Sequence, residues 1–285
     1  MDAEIGHEQS GPGREFDIEL RLLLEAIYQK YHYDFRDYAL ASLRRRMKVA
    51  LQRFACPTLS RLQEKLMHEP GVFPALLDYL TIQVSDMFRD PDFFRALREQ
   101  VVPLLRTYPS LKIWVAGCSG GEEAYSIAIL LREEGLLSKS LIYATDINPR
   151  TLHSAAAGVF DVDRVAGFTV NHHKSGARSS LSDYYTAAYG RAVFDKSLKD
   201  HIVFSDHSLA TDSVFAEVQL VSCRNVLIYF NRALQDRALG LFRESLCRQG
   251  FLGMGSKESI RFSAYAADFL EFVHDERIYQ RKASL

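Results

Sequence analysis

The stretch KIWVAGCSGGEEAYSIAILLR, residues 112–132, constrains the fold of this chain most strongly. An apolar β-type run over 113–116 is broken by a cluster of glycines, and Glu122 and Glu123 then open an apolar helical pattern. The order predicts a strand, a tight turn and a helix. Glycine lets a ligand approach such a turn closely, and the strand-to-helix turn of an open parallel sheet is where nucleotide-like ligands bind. The glycines of the turn are Gly117, Gly120 and Gly121.

A second apolar run, residues 141–145, ends in Asp146. An acidic residue at that strand end is placed to accept hydrogen bonds from a ribose diol. Glu122 and Glu123 argue against a dinucleotide, because a pyrophosphate needs amide donors at this turn and no anions. S-adenosylmethionine (SAM) fits better, since it has a ribose, an adenine, an ammonium and a sulfonium but no phosphate. Turns of this kind also occur in α/β proteins without a ligand, so these residues alone leave both interpretations open.

Composition narrows the class of protein. The chain has 285 residues, 47% of them hydrophobic and 25% charged, which is enough for one large domain or two smaller ones. A net charge of −1 predicts no global attraction to nucleic acid or to an anionic membrane. The four cysteines form no CxxC pair, so we expect no metal site and no disulfide framework. Without an apolar run of about 18 residues or a signal peptide, the sequence predicts a soluble cytoplasmic protein.

The first part of the chain predicts two regions. Residues 1–14 are polar and glycine-rich and are expected to be disordered, whereas residues 15–84 have helical periodicity and predict an all-helical domain. Its second predicted helix, 38–54, carries five basic residues and no acidic one over 42–53. They form either a solvated face or a docking surface for an acidic partner, and nucleic acid is less favoured because no aromatic residue lies among them. These basic residues are Arg44, Arg45, Arg46, Lys48 and Arg53.

Residues 85–110 predict a linker and a helix that lead into a second domain. Asp90 is expected to cap this helix, with Pro91 at its first position. Arg89 would then lie at the junction of two units, where ligand clefts are common. An ordinary salt bridge between domains is the alternative role for this arginine.

Residues 111–285 predict an α/β domain in which a parallel sheet is interrupted by a small insertion over 159–201, with one helix and a few short strands. His172 and His173 are expected in a loop of the insertion rather than as metal ligands. The other predicted elements are a helix over 148–157, strands over 202–204, 218–222 and 251–254, a helix over 231–248 that stops at Gly250, and a final strand over 272–281.

Four motifs then carry a resemblance that covers most of the chain. The first is Met87-Phe88-Arg89 with Phe93-Phe94, followed by GEEAYS at 121–126, ATDI at 144–147 and CRNVLIYF at 223–230. With these motifs the chain resembles the chemotaxis receptor methyltransferase (CheR) family, the SAM-dependent protein-glutamate O-methyltransferases. The resemblance implies a helical N-terminal domain and a Rossmann-like (class I) SAM methyltransferase domain with a small β-subdomain. It also implies SAM as cofactor and S-adenosylhomocysteine as product.

The resemblance further implies roles for single residues. Glu123 and Asp146 would hold the amino-acid and ribose parts of the cofactor, and Arg89 and Tyr229 would lie near the methyl group as the catalytic residues. The full implied cofactor-binding set is Gln83, Ser85, Arg89, Gly117, Gly121, Glu123, Asp146, Ser208, Leu209, Arg224 and Asn225, with 208–209 and 224–225 on the adenine side. The chain departs from the usual family pattern at Gln83, Ser85, Ala124 and Ser208.

The implied reaction is methyl transfer from SAM to glutamate carboxylates of a chemoreceptor or related signalling protein. In this family the basic helix resembles the element that docks the acidic receptor helices, so its five cations become the expected partner surface. Two other functions compete. A nucleic-acid methyltransferase would usually carry an Asn/Asp-Pro-Pro-aromatic motif where this chain reads CRNVLIY without proline, and a non-catalytic SAM-sensing scaffold would keep the fold without turnover.

Overall fold

The computed structural model describes residues 12–283 and divides the chain into two compact units at Thr81/Ile82. The first unit is all-helical, as predicted. Residues 1–11 of the predicted disordered start lie outside the described part. Residues 12–14 are also predicted to be disordered, but they belong to the first helix. Proline is favoured in the first turn of a helix, and the negative charge of Glu15 is favourable near the positive end of the helix dipole. The helices are α1 (Pro12–Tyr31), α2 (Leu40–Arg53), α3 (Leu59–His68) and α4 (Val72–Leu80).

The helical unit is held together by apolar side chains that recur at helical spacing and meet in one core. Tyr31 stacks on Phe73 with ring centroids 4.0 Å apart, which joins the end of α1 to α4. Thr58 caps α3 by accepting a hydrogen bond from the backbone of Arg61. Fully buried core residues of this unit include Leu20, Leu23, Ile27, Leu43, Met47, Leu62, Leu66, Leu76 and Leu80.

The second unit contains a seven-stranded sheet in the order β6-β2-β1-β7-β8-β10-β9. The first five strands of this order run parallel, and β10 pairs antiparallel with both of its neighbours. The mostly parallel sheet confirms the predicted Rossmann-like class. The strands are β1 (Leu111–Ala116), β2 (Ser140–Asp146), β6 (Ile202–Asp206), β7 (Val218–Cys223), β8 (Leu246–Met254), β9 (Phe269–Val273) and β10 (Ile278–Arg281).

Helices accompany this sheet, and one of them contains a π-helical turn between two α-helical segments. The helix α5 continues through a π-helical turn, Leu97–Val101, into α6, and this turn carries Arg98. Arg98 is buried and pairs with Glu133 at 2.6 Å and Glu134 at 2.8 Å. The helices are α5 (Pro91–Ala96), α6 (Val102–Leu105), α7 (Glu122–Glu133), α8 (Pro149–Ala157) and α11 (Arg232–Ser245).

Two predicted element boundaries near the end of the chain are wrong. The helix α11 ends at Ser245 rather than near Gly250, because the strand β8 already starts at Leu246. Gly250 lies within β8, where the pairing of β8 with β7 changes register. The adjacent Gln249 has a φ of 60°, which lets the strand bulge. The predicted final strand over 272–281 is two strands, β9 and β10, which form an antiparallel pair.

The insertion forms a separate three-stranded sheet with the order β3-β5-β4. The prediction that His172 and His173 lie in a loop is wrong, because both residues lie in the last turn of the insertion helix α9 (Val162–Lys174). His172 is buried, and its Nε2 lies 3.0 Å from a carboxylate oxygen of Glu133. The elements are β3 (Val159–Asp161), α9 (Val162–Lys174), β4 (Tyr185–Ala188), β5 (Arg191–Phe194) and α10 (Lys196–Lys199). Over residues 12–283, no helix has both the length and the apolar character that crossing a membrane requires.

Candidate functional site

The topology of the sheet places most of the predicted site residues at one edge. The strand β1 lies between β2 and β7, so the chain leaves β1 in one direction and returns on its other side. In open α/β sheets, a ligand crevice forms at the carboxyl ends of the strands where this reversal occurs. Gly117 follows β1, Asp146 ends β2 and Arg224 follows β7, so these three residues meet at that edge.

The turn after β1 adopts a backbone conformation that needs glycine. Gly117 and Gly121 have φ values of 74° and 89°, and Ser119 between them has 49°. A Cβ on Gly117 would lie 2.5 Å from a methyl carbon of Val226, so a side chain does not fit there. The N–H groups of Gly117 and Cys118 both donate to the carbonyl of Thr145 at 2.8 Å, which fixes the turn against the end of β2.

Asp146 organises the same edge. Its carboxylate oxygens accept hydrogen bonds from the backbone of Ser119 at 2.9 Å and of Asn148 at 3.0 Å. Burial raises the pKa of this carboxyl above its ordinary value, and the backbone amides oppose that shift. Each carboxylate oxygen has a second lone pair, so Asp146 can still accept hydroxyl donors of a ligand.

Buried Arg224 and half-buried Glu123 form an ion pair that connects α7 with the end of β7. A guanidinium nitrogen of Arg224 lies 3.1 Å from one carboxylate oxygen of Glu123, and Ser222 donates to the other at 2.6 Å. Arg224 also donates to the carbonyl of Arg89 and to the carboxylate of Asp90, both at 2.9 Å. The adenine-side role of Arg224 stays a prediction. Its two terminal nitrogens make these contacts, whereas its Nε is buried and has no hydrogen-bond partner within residues 12–283.

Asp90 occupies the predicted position before α5 but acts differently from the prediction. It has a left-handed φ of 55° and makes no side-chain capping hydrogen bond. Its carboxylate binds Arg224 instead. The carboxylate predicted to cap α5 is thus engaged with Arg224 instead of the helix start.

The linker segment contacts the glycine turn through Gln83 and the insertion through Ser85. Gln83 accepts a hydrogen bond from the hydroxyl of Ser119 at 3.0 Å. The carbonyl of Ser85 accepts one from Arg164 of α9. Arg89 is half-buried and donates to the carbonyl of Val84 at 3.3 Å. The segment that carries all three predicted linker residues therefore belongs to the same edge of the second unit.

The loop after β7 is held by an acid that the sequence interpretation missed. Buried Glu258 accepts hydrogen bonds from the backbone of Asn225 at 2.9 Å, Gly255 at 2.7 Å and Ile228 at 3.2 Å. Burial raises the pKa of this carboxyl, while the backbone donors oppose the shift. Glu258 lies in the loop after β8, which ends at Met254, so a search for acids in the loops after the strands, and not only at the strand ends, would have found it. Through this contact it shapes the loop that carries Tyr229.

Ser208 and Leu209 lie after β6, beside Asp146. The N–H of His207 donates to the carbonyl of Asp146 at 3.2 Å, which brings this loop to the strand edge. The N–H of Ser208 donates to Asp212 at 2.9 Å, and Leu209 is buried. The two residues predicted for the adenine side thus form an ordered turn next to the predicted ribose acid.

In the helical unit, the five cations of α2 separate into two kinds. Arg44 forms a two-pronged ion pair with Asp17, and Arg46 donates to the carbonyls of Ser42 and Leu80. These two arginines hold α2 against its neighbours. Arg44, Arg45, Lys48 and Arg53 are all exposed, and Arg44 already pairs with Asp17. The partner surface itself stays a prediction.

The edge of the sheet fits SAM in its chemistry. The turn has no side chain at Gly117 and Gly121, Asp146 offers acceptor capacity at a strand end, and Glu122 and Glu123 supply anions instead of a phosphate site. Residues 83–272 match the family model described as the CheR methyltransferase, SAM binding domain, and residues 18–81 match the CheR methyltransferase, all-alpha domain. The chain belongs to the CheR methyltransferase family.

Relatives of this CheR-family chain extend over most of its length. It is 60% identical to a Pseudomonas putida protein with the provisional name methyltransferase Cher3, over 94% of this chain and 98% of that one. It is 29% identical to the chemotaxis protein methyltransferase of Listeria monocytogenes, over 80% of this chain and 84% of that one. The Vibrio cholerae chemotaxis protein methyltransferase 1 is 28% identical, with 76% and 80% covered. The chain is thus a SAM-dependent methyltransferase of the chemotaxis type, with the fold and cofactor that its motifs indicated.

Proposed function

We propose that this CheR-family protein transfers the methyl group of SAM to glutamate side chains of a chemoreceptor or a related signalling protein, giving glutamate methyl esters. The observation that carries the proposal is the placement of Arg89. Its backbone carbonyl accepts from Arg224, and the N–H of the preceding Phe88 donates to the hydroxyl of Ser126 at 2.8 Å. These contacts fix the backbone of Arg89 near the end of β7, and its half-buried guanidinium, which donates to the carbonyl of Val84, is a fork that can orient a carboxylate.

The chemistry makes few demands on the protein. SAM supplies an electrophilic methyl group on a sulfonium ion. An ionised glutamate carboxylate attacks that carbon, so a C–O bond forms, the S–C bond breaks and its electron pair goes to sulfur. No general base is needed, because the carboxylate has no proton to lose. The protein therefore has to align the two groups and exclude water from them.

We assign these tasks to residues of the second unit. Arg89 orients a carboxylate through two parallel hydrogen bonds, and Tyr229 lies in the loop that Glu258 fixes after β7. Asp146 takes the ribose. Arg224 holds Glu123 in place for the amino-acid part of the cofactor.

The helical unit supplies the partner surface in this proposal. Arg45, Lys48 and Arg53 are exposed on a helix without an acidic residue. A patch of one sign steers an acidic partner and sets its orientation more than it adds affinity. The chemotaxis names of the Listeria and Vibrio relatives support a receptor as that partner.

A labelling experiment tests the proposed reaction. Purified protein is incubated with methyl-tritiated SAM and the methyl-accepting fragment of a chemoreceptor from the same cell. We expect label on the receptor that base treatment releases as methanol, and mass spectrometry that places it on glutamates. Base-stable label, or intact SAM binding without label on any receptor, would contradict the proposal, and the second result would favour the SAM-sensing scaffold.

A further inference from the structure

The insertion helix α9 reaches the segment that carries the predicted cofactor residues. Arg164 donates to the carbonyl of Ser85 and lies 3.3 Å from the carboxylate of Asp86. Asn171, two turns further along α9, donates to the carbonyl of Met87 at 3.1 Å. Three consecutive linker residues are therefore bound by one helix of the insertion.

The same arginine also binds the start of α7. A guanidinium nitrogen of Arg164 lies 2.8 Å from one carboxylate oxygen of Glu122, whose side chain is only 4% exposed. Within residues 12–283, the other carboxylate oxygen of Glu122 is buried and has no hydrogen-bond partner. A Cβ on Gly120 would lie 2.8 Å from that oxygen, so the carboxylate lies against the glycine turn.

A buried carboxylate of this kind needs a counter-charge. Burial is the main cause that raises the pKa of Glu122, Asp86 adds to it, and the hydrogen bond from Arg164 opposes it. The buried thiol of Cys118 also interacts electrostatically with Glu122. Removal of one partner from a buried ion pair is costly, because it leaves an uncompensated charge.

We propose that Arg164 is a positioning residue for the SAM site. It neutralises Glu122 and at the same time holds Ser85 and Asp86, so it closes the linker onto the glycine turn. The insertion, through α9, then helps to set the position of Gln83, Ser85 and Arg89. This inference rests on the cofactor site alone and is independent of the proposed methyl acceptor.

A pH-dependent effect distinguishes this role from simple structural support. In Arg164→Ala, ionised Glu122 would face Asp86 without a cation, and the linker would open. Protonation of Glu122 at lower pH would relieve that repulsion. Affinity for S-adenosylhomocysteine should therefore fall more steeply with rising pH in this variant than in the wild-type protein.

Calorimetric titration with S-adenosylhomocysteine between pH 6 and 8.5 tests the proposal, with no methyl acceptor present. For Arg164→Ala we expect affinity about tenfold weaker at the high end, as the loss of a charge-assisted contact implies. The double variant Glu122→Gln/Arg164→Ala should lose the added pH dependence and recover part of the affinity. Arg191→Ala, which removes an exposed ion pair with Asp161 elsewhere in the insertion, is the matched control and should bind like wild type.

Two outcomes would overturn the positioning role. One is wild-type affinity with the pH profile of wild type in Arg164→Ala, and the other is a steeper pH dependence that persists in the double variant. If Arg164→Ala does not fold, Arg164→Lys decides, because lysine keeps the charge but cannot bind Glu122 and Ser85 together in a planar fork. Intermediate affinity for Arg164→Lys, with faster hydrogen exchange over 83–89, would support the proposal. Unchanged affinity and exchange would refute it.

Discussion

Arg224 and Glu123 lie 101 residues apart in the chain and form an ion pair at 3.1 Å, with the arginine side chain only 1% exposed. The guanidinium also stacks over Phe93 at 4.1 Å from the ring centre. This contact ties the first turn of α7 to the end of β7, so it spans the crevice edge of the sheet. Arg224 is therefore a buried residue that supports the predicted cofactor site, and it is not a surface charge.

Arg224→Ala should destabilise the protein by about 1–3 kcal/mol, because it removes a buried guanidinium that packs on Phe93 and leaves the Glu123 carboxylate with its hydrogen bond from Ser222 but without its cation. Denaturant unfolding measures the change. The double variant Arg224→Met/Glu123→Gln should recover a large part of the loss. Asp90→Asn is the control, since Asp90 is 42% exposed and its pairing with Arg224 should matter much less. Equal losses for Asp90→Asn and Arg224→Ala would contradict this account.

Arg89→Ala should leave the affinity for S-adenosylhomocysteine within about tenfold of wild type but remove most turnover. In the proposed reaction, the two hydrogen bonds of the Arg89 guanidinium align a carboxylate for methyl transfer, and the variant loses this alignment. A radiolabelled-methyl assay measures turnover, and calorimetry measures binding. Arg95→Ala changes an exposed arginine on the following helix and serves as the control. Normal turnover in Arg89→Ala would remove this residue from the catalytic set.

Neutralising the exposed cations of α2 other than Arg44, which pairs with Asp17, should weaken only the interaction with the receptor. The triple variant Arg45→Ala/Lys48→Ala/Arg53→Ala should raise KM for the methyl acceptor steeply at low salt, and the difference should shrink as added salt screens the charges. A control triple variant with the same charge change alters exposed residues of the second unit: Lys112→Ala, Lys174→Ala and Arg248→Ala. An effect of equal size at low and high salt, or in both triples, would argue against a docking surface.

Gly117→Ala should cost about 1–3 kcal/mol of stability and weaken SAM binding, because the backbone is left-handed there and the new Cβ meets Val226 at 2.5 Å. Gly167→Ala is the matched control. Gly167 lies inside α9 with open space around its Cα, so alanine should be neutral or stabilise the helix by up to about 1 kcal/mol. Thermal unfolding and calorimetry together check both variants, and a stable Gly117→Ala with full affinity would contradict the geometry of the turn.

We expect the contribution of Glu133 to the stability of the folded protein to decrease at acidic pH. Burial opposes its ionisation, but hydrogen bonds from His172, Ser179 and Arg98 outweigh this and lower its pKa to about 2. A carboxyl whose pKa is lower in the folded state stabilises the protein above its unfolded pKa and loses this effect as pH falls toward the folded value. The melting temperature of Glu133→Gln should thus lie below wild type at pH 7, with a difference that shrinks between about pH 5 and pH 2. A constant difference over this range would contradict the lowered pKa.

Local patterns in the sequence predict much of the fold. The apolar run before Gly117 and the helical pattern after Gly121 specify a strand, turn and helix, because the periods of strands and helices and the freedom of glycine act over a few residues. Asp146 is recognisable for the same reason, as an acid at the end of an apolar run. The motifs around these residues also indicate the CheR family and its cofactor.

Only the tertiary structure decides which charged groups are paired and which are available. Arg45 and Arg46 are neighbours in a basic run, yet one is exposed and the other is bound to the end of α4. Glu122 and Glu123 are equally adjacent, but Glu122 pairs with the insertion and Glu123 with the loop after β7. The physical reason is that ion pairing depends on burial and on neighbours distant in the chain, and residue spacing does not contain that information.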